Sequence, residues 1–97
     1  MYAKLLRFDV GFGRPGAAQQ IAMETQTTMA GHPGFASMEL LADYLGGRYT
    51  LIAYWRSERE YYDFSYSPEA RTLEGMVGTL MSGVPFVGFY QTYEPAF

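Results

Sequence analysis

The chain has 97 residues, of which 48% are hydrophobic and 18% are aromatic, and its formal net charge at pH 7 is −3. This length predicts one domain over residues 1–97, because a second independent core would be too small to be stable. A negative chain whose cations are Lys4 and six arginines has little with which to follow a phosphate backbone, so we expect no nucleic-acid partner.

Two residue types are informative by their scarcity. The sequence contains no cysteine, which excludes disulfides, thiolate metal ligands and a cysteine nucleophile, and which fits a reducing cytoplasm. Its one histidine, His32, does not support a histidine metal site, so we expect no metal and no cofactor. Residues 1–10 are interrupted by Lys4, Arg7 and Asp9, which predicts neither a signal peptide nor a membrane span.

The first elements are separated by glycine-rich turns. Residues 2–10 hold an apolar and aromatic run that predicts a strand, and residues 17–30 place Ala17, Ile21 and Thr25 at helical spacing. The segment Gly31-His32-Pro33-Gly34 ends that helix. Residues 35–44 and 48–55 flank Leu45-Gly46-Gly47, which predicts a β-hairpin. Both faces of the strand over 48–55 carry apolar or aromatic side chains, so both are expected to be covered.

The second half begins with two helix-start signals. Ser57-Glu58-Arg59-Glu60 has the form of a capping box, and Ser67-Pro68-Glu69 is a second start, so the helix kinks or restarts and continues to about residue 81. Gly75 and Gly78 each weaken it by about 1 kcal/mol relative to alanine, which indicates close packing or a loose end. Residues 84–94 form a last strand rich in Phe, Val and Tyr.

The order is therefore β-α-β-β-α-β, which predicts an α+β, ferredoxin-like fold with a four-stranded antiparallel sheet and its helices on one face. The other face of the sheet stays uncovered in a single copy. Because this face is rich in aromatic residues, we expect a second copy to cover it in a homodimer.

Few side chains in the sequence are candidates for catalysis or ligand binding. No P-loop, dinucleotide fingerprint or zinc-protease pattern is present. His32 is either a solvated loop residue or a proton-transfer group. Arg7 and Asp9 share one face of the first strand, where they form an ion pair or where Arg7 holds an anionic or phenolic oxygen. The densest aromatic group has two interpretations, a structural core or interface and a pocket for a flat ligand; it comprises Trp55, Tyr62, Tyr66 and Phe89.

Three short motifs carry a family resemblance over nearly the whole chain. They are Pro33-Gly34-Phe35, Tyr54-Trp55-Arg56-Ser57 and Ser67-Pro68, in that order. With them the chain resembles the antibiotic biosynthesis monooxygenase-like family of the dimeric α/β-barrel superfamily. The resemblance implies a homodimer whose sheets face each other, with a pocket between helices and sheet in each subunit.

The family contains cofactor-independent oxygenases of polycyclic phenols and haem-degrading enzymes. For the first branch the resemblance implies Trp55 as a pocket residue. Trp55 is also a catalytic candidate. From their chemistry and spacing we add Arg7 and Tyr62 as catalytic candidates, and Tyr66 and Phe89 as substrate-binding candidates beside Trp55. The hypothesis is a cofactor-independent monooxygenase of a small aromatic or phenolic substrate.

Two further hypotheses remain beside the oxygenase. The haem branch has an asparagine on strand one and a histidine on the second helix, where this chain offers Arg7 and Glu74, so haem degradation is not expected. The alternative from another class is a non-enzymatic homodimer of the same fold that binds a small apolar molecule or is purely structural.

Overall fold

The computed structural model describes residues 1–43 and 47–93. Seven elements follow one another in the order strand, helix, two strands, two helices and strand: β1 (Tyr2–Asp9), α1 (Pro15–Ala30), β2 (Phe35–Ala42), β3 (Arg48–Trp55), α2 (Glu58–Ser65), α3 (Pro68–Leu80) and β4 (Ser82–Gln91). The predicted α+β, ferredoxin-like class with a four-stranded antiparallel sheet is confirmed. The second helical segment consists of two separate helices.

The sheet has the strand order β2-β3-β1-β4. Leu6 of β1 stands opposite Leu51 of β3 and Val87 of β4, and the two-residue period of strands therefore puts these three side chains on one face. On this inner face lies the core, in which strand residues such as Phe8, Leu51 and Trp55 pack with helix residues such as Ile21, Met29, Phe64, Leu73 and Val77.

Two serines explain why the second helical segment is split. The Ser57 hydroxyl accepts a hydrogen bond from the Glu60 amide at 3.2 Å and donates one to the Glu60 carboxylate at 3.0 Å. The Ser67 hydroxyl accepts from the Ala70 amide at 3.2 Å, and Pro68 is the first residue of α3. Each helix thus has its own N-cap, which satisfies an amide that would otherwise lack a partner.

The remaining element boundaries differ by one or two residues. β1 ends at Asp9, α1 begins at Pro15, and β4 begins at Ser82. Proline suits the first turn of a helix because the amide it lacks would be unsatisfied there. The predicted hairpin residues Leu45 and Gly46, and the predicted strand ends at 44 and 94, lie outside the described residues.

The turn before β2 and the end of β3 form one junction. The Arg56 amide donates a hydrogen bond to the Gly34 carbonyl at 2.8 Å, and Phe35 stands opposite Trp55 in the sheet. Gly34 has φ +89°, and a Cβ on it would overlap the side chain of Glu60. Glycine is therefore required here both by its backbone conformation and by the close approach of α2.

None of the described helices lies on the outer face of the sheet. This face carries Leu5, Arg7, Ile52 and Tyr54 in the central strands and, on the edge strand β4, the half-exposed Phe86 and Tyr90. The homodimer stays a prediction. No described helix is both long enough and apolar enough to cross a membrane.

Candidate functional site

A cavity of about 580 Å³ lies between the three helices and the inner face of the sheet. We call it the central cavity. Its lining is mainly apolar and includes Leu6, Met29, Leu51, Phe64, Leu73 and Val77. The exposed residues Glu74, Gly78 and Gly83 also border it, so it opens to solvent between α3 and the start of β4. Pockets for small organic ligands have volumes of roughly 300–1,000 Å³, and the central cavity lies within that range.

One cation borders this apolar space. Lys4, the single lysine of the chain, is half-buried on the inner face of β1, where it stands opposite Ala53 and Phe89. Burial lowers the pKa of its ammonium below the ordinary value, and the charge of Glu74 opposes that shift. Among the described residues, no carboxylate lies within 4 Å of its Nζ atom. The cavity therefore contains a cation without a neutralising contact.

Tyr61 of α2 lies beneath that cation. Nζ of Lys4 is 5.6 Å from the centroid of the Tyr61 ring, within the range of a cation–π contact. Burial raises the pKa of the Tyr61 phenol to about 12, and the negative charge of Glu74 adds to the increase. Tyr61 is thus a neutral phenol at physiological pH, and together with Lys4 it borders the central cavity.

Trp55 lies in the core, directly behind the cavity wall. Its side chain is fully buried, stacked on Phe64 at 5.2 Å and edge-on to Tyr61 at 6.0 Å. Those two neighbours line the central cavity, whereas Trp55 does not. Its indole N–H is buried and donates to no described residue. Trp55 is therefore placed to set the positions of two cavity-wall rings.

The other predicted aromatic residues extend this group to the surface. Tyr62 is 41% exposed, and its ring lies 6.4 Å from that of Tyr2 and 6.5 Å from that of Tyr66. Tyr66 is largely exposed, and half-exposed Phe89 stacks on Tyr2. The structure brings Trp55, Tyr62, Tyr66 and Phe89 into one continuous aromatic cluster, and none of the four lines the central cavity.

Arg7 lies on the opposite side of the sheet. Because Lys4 and Leu6 face the cavity, the side chain of Arg7 projects from the outer face, where its guanidinium lies 5.7 Å from the centroid of the Phe86 ring. No ion pair joins Arg7 to Asp9, whose carboxylate accepts from the Gly11 amide at 2.9 Å. Within this chain, Arg7 and Trp55 do not border the same cavity. The catalytic role of Arg7 stays a prediction.

Arg7 does border a second, smaller depression of about 390 Å³ on that outer face. It is lined by a few residues from the same end of the sheet: Leu41, Ala42, Asp43, Arg48 and Thr50. This depression and the central cavity have no residue in common.

His32 is partly buried beside the aromatic cluster. Its ring meets Phe64 edge-on at 4.8 Å, and its Nε2 atom lies 3.9 Å from a carboxylate oxygen of Glu69. In the described part of the chain, no group of three or more His, Asp or Glu side chains is arranged to hold a metal ion.

The interpretation from sequence did not select Lys4 or Tyr61 for the site. The signal for Lys4 is present in the alternation of β1, because Lys4 shares a face with Tyr2, Leu6 and Phe8, so that a cation lies among apolar residues. Its meaning depends on the space above it, which only the packing of α2 and α3 creates.

The comparisons with known proteins give structural likeness without sequence likeness. No family model matches the chain, and no curated protein sequence does either. Among solved structures, Rv0793 from Mycobacterium tuberculosis superposes with a TM-score of 0.80 at 21% identity, covering 99% of this chain and 98% of that one.

Two further solved structures are named for an activity. SnoaB from Streptomyces nogalater, a cofactor-independent oxygenase, has a TM-score of 0.83 at 20% identity over 97% of this chain and 94% of its own. A monooxygenase from the gene ActVA-Orf6 of Streptomyces coelicolor, in complex with nanaomycin D, has a TM-score of 0.78 at 22% identity. The match covers 99% of this chain and 90% of that one.

The protein has the antibiotic biosynthesis monooxygenase fold. Near 20% identity, this likeness shows the fold and does not transfer an activity. The likeness extends over nearly the whole length of both chains in each comparison. The function of this protein has therefore to be argued from its own cavity.

Proposed function

We propose that this protein is a cofactor-independent monooxygenase of a small aromatic or phenolic substrate, which binds in the central cavity. The observation that carries the proposal is the cavity itself, an apolar space of about 580 Å³ bordered by the rings of Tyr61 and Phe64 and open to solvent beside Gly78. Aromatic walls favour a flat substrate, because offset and edge-on ring contacts add to the burial of apolar area.

Two proteins of the same fold support the choice of chemistry. SnoaB is named as a cofactor-independent oxygenase, and the ActVA-Orf6 monooxygenase is named in complex with nanaomycin D. The substrate of the present chain is inferred from the dimensions and lining of its own cavity.

Oxygenation without a cofactor requires that the substrate supply all the electrons. A hydroxyanthrone is a suitable example: its ring CH₂ loses a proton, the resulting enolate gives electrons to O₂, and the carbon becomes a carbonyl. One oxygen atom enters the substrate and the other leaves as water, so no external reductant is needed. The contribution of the protein is to exclude water and to hold the enolate against the oxygen.

The aromatic residues predicted from sequence fit this proposal as residues that surround the substrate site. Trp55 sets the rings of Phe64 and Tyr61, against which the substrate lies. Tyr62, Tyr66 and Phe89 continue the aromatic cluster outward from Tyr61 and are proposed to contact the substrate as it enters or where it extends beyond the cavity.

We also propose that two copies pair through the outer face of the sheet. Phe86, Tyr90 and Leu41 are each about half exposed on or beside this face, and no helix covers them. An apolar sheet face of this kind is a liability in a monomer and a suitable interface in a dimer. In such a pair, Arg7 lies at the interface, where its predicted role toward an oxyanion depends on the second copy.

The test is oxygen consumption by chelator-treated protein with a dihydroxyanthrone. We expect about one O₂ consumed per quinone formed, at a rate well above that of the protein-free reaction. A Gly78→Phe variant places a ring at the opening of the cavity and is expected to lower the rate by about tenfold or more. Space is open there, since nothing lies within 4 Å of a Cβ on Gly78.

Gly75→Phe is the matched control. Gly75 lies three residues earlier on the same exposed surface of α3, has equally open space around it, and does not border the cavity. We expect it to keep the wild-type rate within about twofold. Equal losses in the two variants, or no acceleration by the wild-type protein, would contradict the proposal.

A further inference from the structure

We infer that Lys4 is the specificity-determining residue of the central cavity: its ammonium binds the ionised oxygen of an acidic phenol or enol and selects such ligands over hydroxyl-free arenes of the same shape. This inference rests on the proposed function, because it takes the central cavity as the substrate site.

The position of Lys4 is fixed by the sheet. The residue lies in the middle of β1, with Ala53 on one neighbouring strand and Phe89 on the other. Ala53 leaves room beside the lysine stem because its side chain is small. The strand therefore presents the ammonium to the cavity from its floor, while residues of the three helices form the opposite wall.

The charge of Lys4 is incompletely compensated in the folded chain. The face of the Tyr61 ring lies 5.6 Å from Nζ and supplies a cation–π contact. The cavity-lining carboxylate is Glu74 on α3, which is exposed and lies beyond ion-pair distance. Besides the Tyr61 phenol, the neutral polar residues of the lining are Thr25 of α1 and Ser65 of α2. An apolar site with a half-buried cation is unfavourable when empty, and an anionic oxygen is the ligand that relieves this cost.

An ionised phenol or enol matches this arrangement. The rigid, flat carbon skeleton occupies the apolar space beside Phe64 and Leu73, and the oxygen accepts a hydrogen bond from the Lys4 ammonium. The hydroxyl proton leaves to solvent. For the enol form of a hydroxyanthrone, this ionisation gives the same anion as loss of the CH₂ proton, so Lys4 would bind the form of the substrate that gives electrons to O₂.

The probe that tests this is a hydroxyanthraquinone, whose phenolate absorbs at longer wavelength than its phenol. We expect wild-type protein to lower the pKa of the bound hydroxyl by about one unit or more, and Lys4→Met to abolish that shift. The affinity for this ligand at neutral pH is expected to fall by about 10- to 100-fold in Lys4→Met, the range for a hydrogen bond to a charged group.

The control ligand is anthraquinone without a hydroxyl, which we expect to bind wild-type protein and Lys4→Met alike. Methionine has the shape of the lysine stem and needs no counter-charge, so the variant is expected to fold; binding of anthraquinone verifies this. Quenching of the single tryptophan, Trp55, reports binding of both ligands.

The outcomes separate the two proposals. If both quinones bind and the hydroxyl pKa is the same in wild type and Lys4→Met, the role of Lys4 is wrong while the cavity remains the binding site. If neither quinone binds to wild-type protein, the proposed function itself is contradicted. Loss of anthraquinone affinity in Lys4→Met equal to the loss for the hydroxyanthraquinone would also refute selection by charge.

Discussion

The ammonium of Lys4 lies over the face of the Tyr61 ring, with Nζ 5.6 Å from the ring centroid. The two residues come from β1 and α2 and are more than fifty positions apart in the chain. Each has its pKa displaced by burial, that of Lys4 downward and that of Tyr61 upward to about 12. This pair makes the central cavity electrostatically different from a purely apolar one, and it has consequences that can be measured.

The first prediction concerns stability near neutral pH. Because the pKa of Lys4 is lower in the folded chain than in the unfolded chain, the unfolded state binds more protons between those two values, and the free energy of unfolding rises with pH there. At pH 7 the burial of the Lys4 ammonium lowers the free energy of unfolding. We therefore expect Lys4→Met to be more stable than wild type at pH 7, with the difference shrinking as pH approaches 10.5.

Urea unfolding from pH 7 to 10 measures this difference, and NMR titration of the single lysine gives its pKa directly. A suitable control is Arg71→Met, which removes an exposed cation from α3. We expect no comparable pH-dependent gain from it. A Lys4→Met variant less stable than wild type at every pH would contradict the description of Lys4 as incompletely compensated.

Alkaline pH is expected to act through two tyrosines. Burial raises the pKa of Tyr2 to about 12, with a smaller contribution from its hydrogen bond with Tyr62, and burial likewise raises that of Tyr61 to about 12. Between pH 10 and 12 the unfolded chain loses these protons before the folded chain does. The contribution of these two neutral phenols to the free energy of unfolding is therefore fully present below pH 10 and is lost as pH rises through 12.

Tyr61→Phe is expected to make that alkaline decline less steep, as measured by urea unfolding between pH 9 and 11. Phe89→Leu serves as the control, because Phe89 packs 5.5 Å from the Tyr61 ring and has no hydroxyl. It should lower stability equally at each pH and leave the slope unchanged. If Tyr61→Phe retains the full wild-type slope, the buried phenol is not its source.

The junction of Gly34 and Glu60 gives a prediction for the fold. Gly34→Ala puts a side chain at φ +89° and into the Glu60 side chain, so we expect a loss of about 2 kcal/mol in the free energy of unfolding. Gly75→Ala in α3 meets no atom within 4 Å and is expected to gain about 1 kcal/mol from helix propensity.

A cycle with Glu60→Ala separates the two causes at Gly34. Removing Glu60 also removes part of the α2 capping box, so the single variant is expected to lose about 1 kcal/mol. In the double variant the overlap with the Glu60 carboxyl group is gone, whereas the backbone cost of alanine and the close approach to the Cβ of residue 60 remain. Additive losses would show that the overlap with the Glu60 carboxyl group contributes nothing.

The proposed dimer can be tested at the centre of the outer face. Ile52→Lys places a cation on β3 opposite Glu39 of β2, where it has a partner within the same chain. We expect it to shift the mass measured by light scattering from a dimer to a monomer with the fold retained. The control is Met23→Lys on the exposed surface of α1, which should leave the mass unchanged. A wild-type monomer would contradict the dimer proposal.

Local signals in the sequence were sufficient for the order of the elements. Ser57 and Ser67 act as the predicted caps, and the two-residue alternation of the strand from Arg48 to Trp55 assigns its side chains to the same two faces that the sheet register shows. A cap depends on contacts within three or four residues, and the alternation of a strand depends on its backbone geometry. Neither feature requires a contact with a distant part of the chain.

The site was less predictable because it depends on distant contacts. The aromatic character of Trp55 is evident from sequence, but its position behind the cavity wall follows from how α2 packs on β3. Arg7 and Lys4 are both cations of one strand, and their odd and even positions put them on opposite faces of the sheet. Which face carries a cavity is decided only when the helices cover one of them.

The sequence by itself therefore determined the ferredoxin-like fold and its βαββαβ order, since capping, turns and periodicity are local. The tertiary structure alone decided that Lys4, Tyr61 and Glu74, from three elements, border one space of about 580 Å³. The physical reason is that a cavity is the volume left between packed elements, so its walls and its charge are set by the packing of β1, α2 and α3 together.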